Sequence, residues 1–272
     1  MAFFARDFIF NNSPSELWGL HLGQFNGAGE ETTTTSSDIS LLTQKLFRRP
    51  IPLYYSAEQT PVLSFPLSMY AENDLTAEDF SEISSWLFGQ QNYSELRICQ
   101  NDMLETYFNC FLTQPQIIRV GNIIRGISCV VLCDSPFGYK QPVSYSDTFP
   151  DGYSAYETIE IFNPSEDSFY TFPTSLILTG NVFGGTITLK NITDNIKIIG
   201  SNRESTFTVS PNEVLTMNCD IQTLTSSINT YALSQFTSKN WFRLVKGYNQ
   251  ILVTGQISAL SMTFPIATKI GG

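Results

Sequence analysis

Asn240–Gly255 reads NWFRLVKGYNQILVTG, two strand-like runs with Lys246-Gly247-Tyr248-Asn249 between them. Gly and Asn tolerate tight turns, so the stretch predicts a hairpin bent at those four residues. Upstream, short runs of the same kind recur between turn residues: ETIEIFN, SLILTG, GTITLKN, KIIG, TFTVS and VLTMNC. Strands at roughly 8–12-residue spacing, with no fixed-period repeat, predict a β-sandwich or jelly roll. Trp241, inside WFRLV, is expected to pack in or beside that core.

Composition changes around Asp134-Ser135-Pro136-Phe137. A boundary is expected between there and Val143, giving domains 1–137 and 138–272. In the first, an opening strand (Arg6–Phe10) precedes the turn Asn11–Pro14 and an apolar stretch from Leu17 to Leu22. The polar loop Asn26–Ser37, with four consecutive threonines, is expected to be exposed and mobile. In QKLFRRPIPLYYSAEQTPVLSFPLSMY, residues Leu63, Phe65, Leu67 and Met69 alternate with Ser64, Pro66 and Ser68, the period of a one-sided strand. Pro50, Pro52, Pro61 and Pro66 lack the amide a central strand needs, so this segment reads as an edge strand or a projecting two-stranded arm. LTAEDFSEISSWLFG is the one long helix expected. Thr76 and Asp79 form a capping box, Leu75 and Phe80 a hydrophobic staple, Phe80, Ile83 and Leu87 one face, and Gly89 the stop. Strand signal resumes in LRICQ, MLETYFNCFL and GISCVVLCD.

The chain has 272 residues, 42% hydrophobic and 15% charged, with Phe 21 and Tyr 12 against a single His. That profile suits pleated, half-buried surfaces. Net charge is −10; up to Phe137 there are 15 acids and seven bases, a balance of −8, and beyond it ten and eight, a balance of −2. Neither half has the basic face that phosphate binding needs, so specific nucleic-acid binding is not expected. Arg6 and Asp7 interrupt the apolar start, and no run approaches the ~18 apolar residues of a membrane helix. No signal peptide and no membrane insertion are therefore expected. Five cysteines, without disulfide-framework spacing, point to reduced thiols made in a cytosol.

Residues suited to chemistry are few. His21 reads as a partly buried polar residue of a strand. Cys129 and Cys133 share a strand face about 13 Å apart, too far for one metal ion, and read as core residues. Glu157 and Glu160, three apart on a strand, point to opposite faces. Asn191-Ile192-Thr193 matches a glycosylation acceptor that a cytosolic protein would not use. No nucleophile elbow, phosphate loop or metalloprotease motif is present. No catalytic, cofactor or metal residues are expected.

The opening strand with SPSELWGLHLG, the proline-rich arm, the capped helix, GISCVVLCDSPFGY, and the closing NWFRLVKGYNQILVTGQISALSMTFP form an ordered set. That set resembles the distal tail proteins of long-tailed bacteriophages over essentially the whole chain. The resemblance implies a mainly β fold. Its N-terminal part would be a split β-barrel with one α-helix and a projecting β-hairpin arm, its C-terminal part a galectin-like β-sandwich closed by the hairpin, with Ile251 and Val253 facing the core. It also implies a homo-hexameric ring at the distal end of the virion tail, made in the host cytoplasm. The ring would join the tail tube protein to a baseplate hub or tail-associated lysin, carry receptor-binding proteins, and pass DNA through its lumen. Arg48, Arg49, Tyr54 and Tyr55 on the arm are the residue types that anchor interfaces. Glu30, Glu31, Glu78 and Glu82 would suit a channel wall that repels DNA. The alternative is a carbohydrate-binding host-adhesion protein acting through the C-terminal sandwich.

Overall fold

The computed structural model describes residues 5–23, 39–44, 51–59, 62–150, 153–167, 170–197 and 204–270. The chain divides into two compact units, Met1–Tyr139 with Thr268–Gly272, and Lys140–Ala267. In the first unit the elements are β1 (Phe8–Phe10), β2 (Ser13–Pro14), β3 (Leu20–Leu22), β4 (Ile39–Gln44), β5 (Leu53–Gln59), β6 (Ser64–Leu75), α1 (Ala77–Phe88), β7 (Ser94–Ile98), β8 (Phe108–Val120) and β9 (Ile123–Cys133). Seven strands form one sheet in the order β2-β1-β7-β8-β9-β6-β3, which is open rather than closed into a barrel. Among the described residues β4 and β5 pair only with each other, as a two-stranded arm.

The period-2 pattern of β6 buries Phe65, Leu67 and Met69. They meet Phe108, Cys110 and Leu112 of β8 and Ile127, Cys129 and Val131 of β9 in one core. Pro66 is tolerated for a reason the register supplies. Cys133 N–H donates to Leu63 O, so the odd-numbered residues of β6 face β9 and Pro66 faces away. β3, on that other side, pairs with Met69–Ala71, and Gly23 N–H reaches Ser68 O, so among the described residues no strand pairs with Pro66 there and the missing amide goes unused.

The capping box of α1 forms in both directions: Asp79 N–H donates to Thr76 Oγ1, and Thr76 N–H donates to Asp79 Oδ2 at 2.9 Å. Ile83 and Leu87 are buried, while Phe80 is half-buried against the same core. Trp86 joins them, its ring stacked on Trp18 at 5.1 Å and its Nε1 donating to Phe10 O. Gly89 ends the helix without adopting the left-handed conformation (φ −82). A side chain there would meet Ser85 O at 2.4 Å, so close approach is what requires glycine. After β9, Asp134 accepts from Asn109 Nδ2 and Tyr139 Oη, and Ser135 Oγ accepts from Phe137 N–H. The Asp-Ser-Pro-Phe run is thus a side-chain-bonded turn. Burial raises the Asp134 carboxyl above its ordinary value, against those hydrogen bonds.

The second unit continues with β10 (Gly138–Thr148), β11 (Ala155–Asn163), β12 (Ser175–Gly180), β13 (Gly185–Asn191), α2 (Ile192–Lys197), β14 (Glu204–Val209), β15 (Val214–Asn218), β16 (Thr223–Ser226), β17 (Gly247–Gly255) and β18 (Ile257–Thr268). A five-stranded sheet, β10-β18-β12-β15-β16, and a four-stranded sheet, β11-β17-β13-β14, enclose one core. Ile251 and Val253 are fully buried in it. Trp241 packs at its margin, edge-on to Phe236 at 5.0 Å. Two expectations need correction. In KIIG, Lys197 closes the helix α2, and 198–200 lie outside the described residues.

The predicted hairpin at Asn240–Gly255 does not form either. Only Gly247–Gly255 is a strand, between β11 and β13, and Leu244 bridges Thr171 instead of folding onto β17. The reason is side-chain competition for the backbone. Buried Asn249 donates to Val245 O and Gly247 O at 2.8 Å and accepts from Val245 N–H at 2.9 Å. Asn163 Nδ2 also donates to Val245 O, and Asn191 Nδ2 bonds Arg243 O and Asn249 Oδ1. Asn191 of the Asn-Ile-Thr motif is therefore part of the lock. Arg243 completes it with a buried, two-point pair to Asp194 (2.9 and 3.2 Å), its guanidinium 3.3 Å from the Tyr170 ring centre. Gly247 (φ +88) and Gly255 (φ +106) supply the backbone at the two ends of β17; a side chain at Gly255 would strike Thr186 O at 1.9 Å.

Asp194→Ala leaves Arg243 buried and unpaired, and should cost about 3–5 kcal/mol of stability in urea unfolding. Lys190→Ala, removing a half-exposed pair with Glu204, should cost under about 1 kcal/mol. Glu213 gives a pH signature. Burial works to raise its carboxyl, but hydrogen bonds from Ser210 N–H and the Ser226 and Gln235 side chains win and lower it. A lowered native pKa adds stability above the unfolded value of 4.5, lost as pH falls through the native value. Thermal melts should show the deficit of Glu213→Gln largest near neutral pH and shrinking in acid.

Candidate functional site

His21 sits on β3, buried, with Nδ1 2.6 Å from Asp7 Oδ1 and Nε2 2.8 Å from Glu72 Oε1. The Arg6 guanidinium lies 3.3 Å from both ring nitrogens and 2.6 Å from Glu72. The ring is thereby fully engaged in tying β3 to β6. Among the described residues no group of three His, Cys, Asp or Glu is placed to hold a metal ion. Burial pushes the Cys129, Cys133 and Cys219 thiols up to about 12 and raises Cys110 as well, so these are inert core groups. Cys99 is exposed. No described helix is long and apolar enough to cross a membrane.

What the molecule presents instead is surface. On the arm, Tyr54 and Tyr55 of β5 are exposed, as are Leu42 of β4 and Ile51 just before β5. Tyr55 Oη donates to Gln44 across the arm. Arg48 and Arg49, and likewise Glu30 and Glu31, lie outside the described residues. Glu78 and Glu82 are on the exposed side of α1.

Two surfaces escaped the sequence reading. β8 and β9 extend as a hairpin with a Gly121-Asn122 turn, exposing Ile117, Val120 and Ile123. On β11 and β17, Phe162 and Tyr248 pair across the strands with rings 4.8 Å apart, both more than half exposed, and Tyr156 lies further along the same face. A signal was present in the second case. Tyr156 and Phe162 share with Thr158 and Glu160 the positions of β11 that alternate with Ile159 and Ile161, where a solvated face is ordinarily polar throughout.

Residues 3–135 match the family described as phage tail protein N-terminal domain. Those residues belong with the N-terminal domains of phage tail proteins. Across both units the chain shares the fold of the SPP1 Dit (gp 19.1) protein, described as a paradigm of the hub adsorption apparatus in phages infecting Gram-positive hosts. That match covers 96% of this chain and 98% of the other, with TM-score 0.69 and 9% identity. Chains of the phage P2 baseplate in its activated conformation match too. The calcium form has TM-score 0.55 over 98% of this chain and 99% of that one, and the strontium form 0.56 over 97% and 99%, each at 9% identity. Among curated proteins, none matches the sequence. The distal-tail resemblance read from the sequence is thus met by family and fold, and the role is that of a structural component of a phage tail. Sequence identity this low carries the fold and no binding detail.

The cysteines give a check on the first unit's packing. Maleimide at neutral pH should modify Cys99 and spare Cys110, Cys129, Cys133 and Cys219. All five should react once the chain is denatured, as counted by intact mass.

Proposed function

We propose that this tail protein is the hub of the tail tip: a homo-hexameric ring joining the tail tube to a baseplate hub or tail-associated lysin, its lumen passing DNA and its rim supporting host-adhesion proteins. The observation that carries this reading is the end-to-end correspondence with SPP1 Dit, both units included, at TM-score 0.69. In the ring, one surface of each copy meets a different surface of the next. An isolated two-stranded arm is marginal alone in water, and its exposed Tyr54 and Tyr55 suit it to a neighbour. A net charge of −10 favours passage of DNA over retention. The mechanism is assembly and geometry, without catalysis.

A sugar-binding role through Trp241 gains no support, because that ring is packed against Phe236 rather than offered as a platform.

Light scattering of the purified protein should give about 183 kDa, six times 30.5 kDa, with negative-stain images showing rings. A monomer at every concentration would defeat the ring. The double change Tyr54→Ala/Tyr55→Ala should lower that mass while moving monomer stability by less than about 0.5 kcal/mol, since both side chains face solvent.

A further inference from the structure

Two cysteines of the first unit stand directly opposite each other. Cys110 of β8 pairs in register with Cys133 of β9, so both side chains leave the sheet on the same face. Two backbone bonds fix the kind of pair they make. Cys133 N–H donates away from β8, to Leu63 O, while Asp134 N–H donates across to Asn109 O. Asn109 and Asp134 are therefore a hydrogen-bonded pair, and Cys110 and Cys133 are the non-hydrogen-bonded pair beside it. Cα atoms in such a pair lie about 4.5 Å apart, with the side chains closer than in the hydrogen-bonded kind. A disulfide needs a Cα separation of roughly 4.4–6.8 Å. Both residues are buried in one core, and both are free thiols. Cys129, four residues from Cys133 on the same strand, lies roughly 13 Å along it and out of its reach.

We propose that Cys110 and Cys133 are a latent cross-strand disulfide, open in a reducing compartment and closed by a small peroxide outside it. The chemistry balances with one hydrogen peroxide. One thiolate attacks a peroxide oxygen, the O–O bond breaks, and the departing hydroxide takes up a proton, leaving a sulfenic acid and water. The second sulfur gives up its proton and attacks the sulfenic sulfur, the S–O bond breaks, and a second water departs. Two sulfurs are oxidised and two oxygens reduced. Burial excludes a reagent the size of maleimide, whereas hydrogen peroxide has only two heavy atoms. Burial, with the nearby Cys133 and Cys129 sulfurs and Asp134 adding to it, also raises the Cys110 thiol, and burial with Asp134 pushes Cys133 up to about 12. Closure is therefore slow at neutral pH and follows the thiolate fraction. The bond would sit at the root of the β8–β9 hairpin, at the opposite end from the Gly121-Asn122 turn and the exposed Ile117, Val120 and Ile123. A staple there closes the loop 110–133 and restricts the unfolded chain. The proposal concerns a single chain and stands whether or not the ring forms.

The test uses the full chain with Cys99→Ser, which removes the exposed thiol and leaves four. The protein is treated with hydrogen peroxide at about pH 9, quenched, then denatured in iodoacetamide. Intact mass should show two alkyl labels instead of four, and peptide mapping should join Cys110 to Cys133. Four labels, or a bond joining any other pair, would overturn the proposal. Adding Cys133→Ala should leave all three remaining thiols free to be labelled, and a disulfide in that variant would also overturn it. The rate of closure should rise about tenfold per pH unit between about pH 7 and 9, and a flat rate would count against reaction of the buried pair. With the bond in place the melting midpoint should rise by about 5 °C or more, and a reductant should reverse the shift. An unchanged or lowered midpoint in a chain shown to carry the bond would overturn its role as a staple.

Discussion

The second unit depends on how Asn249 uses its amide. β17 is flanked by β11 and β13 and reaches both over most of its length, so whatever fixes its start fixes the four-stranded sheet. Asn249 does so by binding both the N–H and the C=O of Val245. A buried amide with all its bonds met rigidifies its surroundings, while one left short would be costly. Asn163, Asn191 and the Asp194–Arg243 pair extend the same network from the ends of β11 and β13. Satisfied side chains thus stand in for a strand partner along 240–246.

The first unit relies on a different device. Its sheet is open, and α1 together with the Trp18–Trp86 stack covers part of the core. The capping box fixes where the helix begins, and Ile83, Leu87 and Trp86 fix which way it faces. His21, the single histidine, serves as a cross-tie between β3 and β6. A residue type associated with catalysis is here fully occupied by Asp7 and Glu72.

A structural role in a tail assembly is consistent with this distribution. Among the described residues, the buried ionisable groups are thiols, the Arg243–Asp194 pair, His21 held between Asp7 and Glu72, and Glu213 held by hydrogen bonds. The features still open to partners lie on the outside: the arm, the β8–β9 hairpin tip, a cavity lined by Leu17, Trp18 and Glu82, and the Phe162–Tyr248 face. Such groups gain from association because their apolar area is still in contact with water.

Much of this was legible in the sequence because it depends on local pattern. The helix and its cap, the strands SLILTG and GTITLKN, the burial of Ile251 and Val253, and the ordered motifs of the distal tail family all follow from residues a few positions apart. Of the proposed interface residues, Tyr54 and Tyr55 are exposed on the arm, and nothing local says what they touch. What only the tertiary structure decided depends on partners far apart in the chain. The predicted hairpin failed because Thr171, 73 residues before Leu244, takes that residue's backbone bonds. Pro66 could sit in β6 because its missing amide faces away from β9, and the acid run of 71–83 became a cavity wall only when Leu17 and Trp18 folded beside it. Periodicity and turn chemistry act over one to four residues, so the sequence shows them directly. Which strand edge is left free and which buried amide finds a carbonyl are settled by contacts between distant segments.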